Sequence, residues 1–186
     1  MDTTQTLSPW TRLLHWSVAA TILSLLAIGL YMVHWEAWAW YPIHKSLGLL
    51  ALLLITVRVG WRWRAGWPPP VRELGRFEAG AAHAAHVVLL CGTLALPLSG
   101  LLFSATSGHG IEIFGLGLVP ANPLHGADGD VLPYSAAWSD RTQAAHHLVG
   151  YVMTGAIALH VLAALKHHLL DRDATLRRML GRRISS

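Results

Sequence analysis

Four histidines carry the first chemical signal, because their spacing suits the ligation of haem iron. His146 and His160 are 14 residues apart. On one α-helix they return to the same face with an offset of about 40° and stand about 21 Å apart along the axis. One helix could thus hold a ligand at each of two depths. His44 and His15 lie near the starts of two earlier apolar segments and supply partners, His44 for His146 and His15 for His160. An iron held between two imidazoles is six-coordinate and closed to exogenous ligands, which suits electron transfer better than oxygen binding. A macrocycle also needs space beside its ligand, and the neighbour on that face lies four positions toward the helix middle. That neighbour is Gly48 for His44, Gly150 for His146, Ala19 for His15 and Ala156 for His160, whereas His83, His86 and His147 have Val87, Leu90 and Tyr151. The two glycines carry most of this argument. The single cysteine, Cys91, allows neither a disulfide nor a C-x-x-C-H attachment, so two haems b would be held non-covalently.

For one isolated histidine the plain reading is an interfacial group bonded to a carbonyl or a lipid headgroup. Two pairs matched in depth and facing turn the reading to haem. A di-metal site is disfavoured because no Glu-x-x-His pattern is present to project into a bundle.

Such ligands need membrane-crossing helices to position them. The chain has 186 residues, 53% hydrophobic and 13% charged, with nine tryptophans, too apolar for an ordinary soluble domain. Charge-free runs at Leu13–Val33, Ala79–Ser107 and Thr142–Leu165, with a shorter one at Leu47–Val57, compare with the ~20 helical residues that cross a hydrocarbon core. The expected fold is all-α: an integral membrane four-helix bundle forming one domain over residues 1–186. Its spans fall at about 11–33, 43–61, 80–104 and 142–166, and its external loop at about 105–140. Placing both termini and the loop between the second and third spans in the cytoplasm leaves only Lys45 and Arg141, of 14 basic residues, on the periplasmic side. The positive-inside rule therefore predicts an N-in/C-in protein of the bacterial inner membrane. The basic balance then reflects topology, and nucleic-acid binding is not expected.

The first span resembles a signal-peptide core but is long and lacks a small-residue cleavage site before Tyr31, so an uncleaved helix is expected. Trp35–Tyr41 suits the headgroup level. Pro68, Pro69 and Pro70 separate the second and third spans, and Pro97 and Gly100 are expected to interrupt the third. Between Gly108 and Asp140 glycines and prolines are frequent and no helical period is evident.

The remaining polar residues leave alternatives open. His83 and His86 share a face of the third helix; they could replace a ligand, contact a haem propionate or bind quinone. Arg58, 14 residues after His44, returns to the same face and is either a propionate contact or a snorkelling anchor. Arg62 and Arg64 lean toward anchoring. Lys45 and Arg141 could steer an anionic donor, although interfacial anchoring is the simpler reading. His147 points about 100° from His146 and reads as a neighbouring polar contact. His167 and His168 read as interface residues at a helix C-terminus, and His34, His109 and His125 as loop groups.

These motifs together resemble the bacterial cytochrome b561 family, related to hydrogenase and formate dehydrogenase cytochrome b subunits, over nearly the whole chain. The resemblance rests on Arg12-Leu13-Leu14-His15-Trp16, on Ile43-His44-Lys45-Ser46-Leu47-Gly48 with Arg58 and Arg62, and on Ala82-His83-Ala84-Ala85-His86 leading to Ala95-Leu96-Pro97-Leu98-Ser99-Gly100. It continues through His146 and Ala158-Leu159-His160 to Lys166-His167-His168. The family's axial histidines fall on His15, His44, His146 and His160. The resemblance implies electron transfer between the periplasmic side and the quinone pool, with ubiquinone as acceptor. Some members look like superoxide oxidases, and two haems suit a one-electron donor feeding a two-electron acceptor. Family analogy alone does not choose the donor. The alternative is a cytochrome b subunit docked to a periplasmic redox enzyme or carrier, and a haem-free membrane protein is the third. Quinone candidates are Trp16, His83 and His86. Membrane lipid is the remaining expected partner.

Overall fold

The computed structural model describes residues 2–73 and 75–184. Helix α1 spans Pro9–Trp35, α2 Tyr41–Ala65, α3 Arg76–Thr106 and α4 Ala136–Leu169; a short α5 covers Thr175–Met179. Between α3 and α4 the chain forms a hairpin of β1, Ile111–Ile113, and β2, Leu116–Val119. Among the described residues, α1 to α4 are long and apolar enough to cross a membrane.

Local chemistry accounts for the helix ends. Ser8 caps α1 by accepting from the Thr11 N–H at 3.1 Å, and Pro9 follows at a position whose N–H has no helical partner. Glu36 ends α1 in the left-handed conformation, with its N–H bonded to the Met32 carbonyl. Gly66, at φ 70°, ends α2 before the proline run. Pro97 does not interrupt α3 as expected, since the helix is continuous through it. In a bundle the lost backbone bond can be compensated by neighbours. The crossing helices extend beyond their apolar runs at every end but the last of α3, because polar residues at the ends keep helical geometry outside the hydrocarbon.

α1 packs on α2, α2 on α3 and α3 along α4, while α4 has no comparable packing against α1 or α2. The core is Val18, Ile22 and Leu25 of α1 with Ala51 and Ile55 of α2. α4 buries only Met153, and a Cβ at Gly92 of α3 would collide with the Met153 sulfur. Close backbone approach at a small residue is how helices associate where lipid removes the hydrophobic drive. Leu53 and Leu159 point outward at 66% and 69% exposure, as lipid-facing groups do.

The two ends of the bundle differ. At the terminus end, buried Arg178 of α5 donates to the carbonyls of Thr3, Thr4 and Pro69 at 2.9–3.1 Å, tying three distant segments together. Asp2 accepts from Ser8 N and Thr11 Oγ1 and lies 3.6 Å from Arg62. At the hairpin end, the turn between β1 and β2 is Phe114-Gly115, both at positive φ (46° and 85°). That is the pattern of the two-residue turn whose twist matches paired strands. The strands were not legible as such, since three- and four-residue segments carry too little period.

Candidate functional site

The sparse packing of α4 against α1 and α2, where Ile157 reaches the core, leaves a space that histidines enter from both sides. At the hairpin end the rings of His44 and His146 have centres 6.2 Å apart and planes at 86°. Metal–nitrogen bonds of about 2.0–2.1 Å place two opposed imidazole centres roughly 6 Å apart once each nitrogen-to-centre distance is added. The pair is therefore spaced for one metal between them. Glycines make the seats: a Cβ at Gly29 of α1 would lie 3.3 Å from His44 Cε1, and one at Gly100 of α3 would lie 3.0 Å from His146 Cε1. Gly48 meets nothing within 4 Å, and Gly150 only Leu96 Cδ1 at 3.9 Å. All four glycines line one mainly apolar cavity, whose empty space up to its open mouth is about 1360 Å³.

Hydrogen bonding sets the ring states. His146 Nδ1 lies 3.0 Å from the Leu96 carbonyl and 3.0 Å from Ser99 Oγ, whose hydroxyl donates to the same carbonyl at 2.8 Å. A carbonyl only accepts, so Nδ1 carries the proton, and the neutral ring presents its lone pair at Nε2. This is the arrangement that orients metal-bound histidines. His44 Nδ1 is buried without a partner, a cost that a ligand in the cavity relieves. The orphaned nitrogen, the glycine seats and the ring spacing all fit a haem.

At the terminus end His15 of α1 and His160 of α4 stand 6.4 Å apart at 61°. His86 of α3 lies 6.2 Å from His160 at 66°, so three imidazoles converge here. Arg58 of α2 donates from Nη2 to His15 Nδ1 at 3.2 Å and lies 3.5 Å from the His15 carbonyl. Guanidinium has no acceptor, so in this arrangement the neutral His15 holds its proton on Nε2. Ligation through Nε2 requires Arg58 to leave Nδ1, and a propionate is a better partner for it.

The two levels share one rule. Gly29 follows His15 by 14 residues, Arg58 follows His44, Gly100 follows His86 and His160 follows His146 by the same interval. Each crossing helix thus contributes one residue to each level: Gly29, His44, Gly100 and His146 at the hairpin end, and His15, Arg58, His86 and His160 at the terminus end. The roles of Gly29 and Gly100 were missed from sequence, although the interval from His15 and His86 was there to find them.

The other candidates are placed as follows. The Trp16 ring stands edge-on to His15 at 5.1 Å, and its indole N–H donates to the Met179 carbonyl at 3.1 Å. Trp67 lies 5.9 Å from His83 and 5.7 Å from His86. Lys45 Nζ reaches the His109 and Gly110 carbonyls at 3.4 and 3.5 Å and lies over the Tyr41 ring, so it holds the loop down. Arg141 lies over Trp138. His147 lines the cavity with Glu112 and Gln143. His34 packs on Trp35, and His109 Nδ1 contacts Ser107 Oγ. His125 Nδ1 donates to the Pro123 carbonyl.

His167 is more than an interface residue: its Nδ1 lies 3.0 Å from both Asp171 and Asp173, with Glu78 at 3.8 Å from Nε2. Arg72 reaches Glu78 at 2.6 Å and Lys166 reaches Asp171 at 2.7 Å, so cations already occupy these carboxylates. The hydrogen bond from Lys166 holds the Asp171 carboxyl below its ordinary pKa. This cluster joins α3 to the chain after α4, a link no local pattern discloses.

Comparison with known proteins follows this geometry. Residues 6–182 match the family model described as prokaryotic cytochrome b561. A protein named cytochrome b561 homolog 2, from Escherichia coli (strain K12), is 33% identical over 173 residues, covering 90% of this chain and 87% of its own. The probable superoxide oxidase CybB of Yersinia pestis is 29% identical, over 91% of this chain and 93% of its own. Cytochrome b561 homolog 1 of Escherichia coli (strain K12) is 27% identical, over 91% and 94%.

Proposed function

Because the chain belongs to the prokaryotic cytochrome b561 family, and so is a multi-pass inner-membrane haem protein of electron transport, we propose that it holds two haems b and moves electrons from a periplasmic one-electron donor to ubiquinone. The observation that carries this reading is the pair of opposed imidazole couples, 6.2 and 6.4 Å between centres, at the two ends of α4. A bis-histidine haem supplies one-electron exchange at an iron with no free coordination position. His44 and His146 would hold the hairpin-end group and His15 and His160 the terminus-end group. Leu96 and Ser99 fix the His146 tautomer, and Gly29 and Gly100 leave room for the rings. Arg58 would hold a propionate in place of its bond to His15. The arginine distribution supports a cytoplasmic terminus end.

The donor we propose is superoxide, supported by the relative named as a probable superoxide oxidase. Two superoxide ions each give up one electron and leave as dioxygen, while ubiquinone takes two electrons and two protons to become ubiquinol. Arg141 is the better placed of the two hairpin-end cations to attract an anion, since Lys45 is committed to loop carbonyls. Ubiquinone is placed at the terminus end near Trp16, His83 and His86. The test is stopped-flow mixing of the oxidised, purified protein with superoxide and a ubiquinone analogue. Haem reduction faster than spontaneous dismutation is expected, with ubiquinol formed at one per two superoxide consumed. Reduction no faster than dismutation would remove superoxide as donor, and absence of a b-type reduced-minus-oxidised spectrum would remove the haem reading.

A further inference from the structure

We infer that the β-hairpin is a membrane-interface element, dipping into the lipid beside α2 with Phe114, Leu116 and Leu118 against acyl chains. Depth is the first argument. The Phe114 N–H leaves the hairpin and donates to Ser46 Oγ at 2.9 Å. Ser46 lies five residues into α2, which starts at Tyr41, so the turn sits about 7 Å below the start of that helix. It passes the level of His44. The aromatic residues that mark a headgroup level, Trp35, Trp38 and Trp40, lie at or before the start of α2 and are exposed. Lys45 meanwhile holds the His109 and Gly110 carbonyls where the chain enters the hairpin.

Composition and exposure are the second argument. No charged residue occurs between Glu112 and Asp128. Phe114 is 62% exposed, Leu116 67% and Leu118 52%, close to the exposure of lipid-facing Leu53 in the same helix α2. A turn with two positive φ angles ordinarily takes Asn or Gly at its first central position, and here that place holds an aromatic ring. The turn does not call for phenylalanine, whereas a surrounding apolar phase does.

Backbone satisfaction is the third. Unpaired backbone and open strand edges are excluded from the hydrocarbon core, so a two-stranded hairpin belongs at its boundary, where headgroups and water reach the outer edge of β2. The strands pair with each other, and the Phe114 N–H at the turn is taken up by Ser46. Ser46 is itself 1% exposed and donates to the Pro42 carbonyl at 2.8 Å. The serine thus serves as a polar socket that lets the turn descend.

The test uses the full-length haem-loaded protein in lipid nanodiscs, with Cys91→Ser as background and single nitroxide-labelled cysteines at Phe114, Leu116, Leu53 and Ala127. Collision with oxygen reports lipid, and collision with a water-soluble nickel chelate reports solvent. Labels at Phe114 and Leu116 are expected to favour oxygen as the Leu53 label does, with loss of the nickel accessibility seen at Ala127. Nickel accessibility at Phe114 equal to that at Ala127 would overturn the inference. So would exclusion of both probes with spin–spin broadening, which would assign the face to a second copy. An unlabelled Leu116→Asp variant gives a second readout: faster hydrogen exchange over 111–119 with an unchanged haem spectrum is expected. Unchanged exchange would count against lipid contact.

Discussion

His146 is the most fully specified of the four candidate ligands, because its tautomer, its seat and its outlet to the cavity are each set by a different neighbour. The Leu96 carbonyl takes its Nδ1 proton, Gly100 makes room for its edge, and Gly150 leaves the adjacent turn open. His146→Ala should therefore lower the haem-to-protein ratio from two to one, and His160→Ala should do the same with loss of the other spectral component. Retention of two haems in His160→Ala would transfer that ligand role to His86, which lies 6.2 Å from His160, and retention in His146→Ala would overturn the hairpin-end assignment. Gly100→Val tests the seat without touching a ligand. Its Cβ would lie 3.0 Å from His146 Cε1, so about half the haem should be lost, measured by pyridine haemochrome against protein. Gly155→Val, on a helix face with nothing within 4 Å of a Cβ, should retain both haems. At this scale His15, His44, Arg58, His146 and His160 could be singled out from the sequence, each a polar residue within or at the end of an apolar run. Gly29 and Gly100 were not singled out, because a glycine announces no chemistry until an imidazole from another helix is found against it.

Among the elements, α4 is the one on which both candidate sites depend, and it is attached along a single seam. Met153 is its one buried residue, set against Gly92 of α3. Gly92→Val overpacks that contact and should destabilise the bundle by about 1–3 kcal/mol. Thermal unfolding in detergent should show a lower Tm, with both haems released in the same transition. Sequence reading located the four helices from charge-free runs but drew their ends short, because hydropathy marks the hydrocarbon and not the last hydrogen bond. It took Pro97 as an interruption, whereas α3 runs through it and presents the Leu96 carbonyl and Ser99 hydroxyl to His146. The proline segment thus shapes a ligand's surroundings rather than ending a helix.

For the whole molecule, the terminus end is closed by contacts among segments far apart in the chain. Arg178 alone joins α5, the N-terminal residues and the connection between α2 and α3 through three carbonyls. Hydrogen bonds to a charged group contribute about 1.5–3 kcal/mol each, so Arg178→Ala should open this cap locally. Proteolysis after residue 170 should accelerate at least ~10-fold, the factor that 1.4 kcal/mol represents, while the hairpin-end haem spectrum stays unchanged. Orientation is tested at the same scale: in intact spheroplasts, a membrane-impermeant maleimide should label a single cysteine at Ala127 and spare one at Arg182. The reverse pattern would invert the proposed direction of electron flow.

Hydropathy and the fixed rise of the α-helix act along the chain, so the sequence by itself determined four crossings and a 14-residue interval that sets polar residues at two depths on α2 and α4. What lies between helices depends on how each is rotated about its axis and on which side chains meet across a gap. Only the tertiary structure decided that α4 stands away from α1 and α2, leaving the space the histidines share. It decided that Gly29 and Gly100 seat His44 and His146, that His86 joins His15 and His160, and that Arg58 bonds to His15. The hairpin lay beyond the sequence for the same reason. Its turn is held by Ser46, 68 residues earlier, and no local pattern records a contact at that separation.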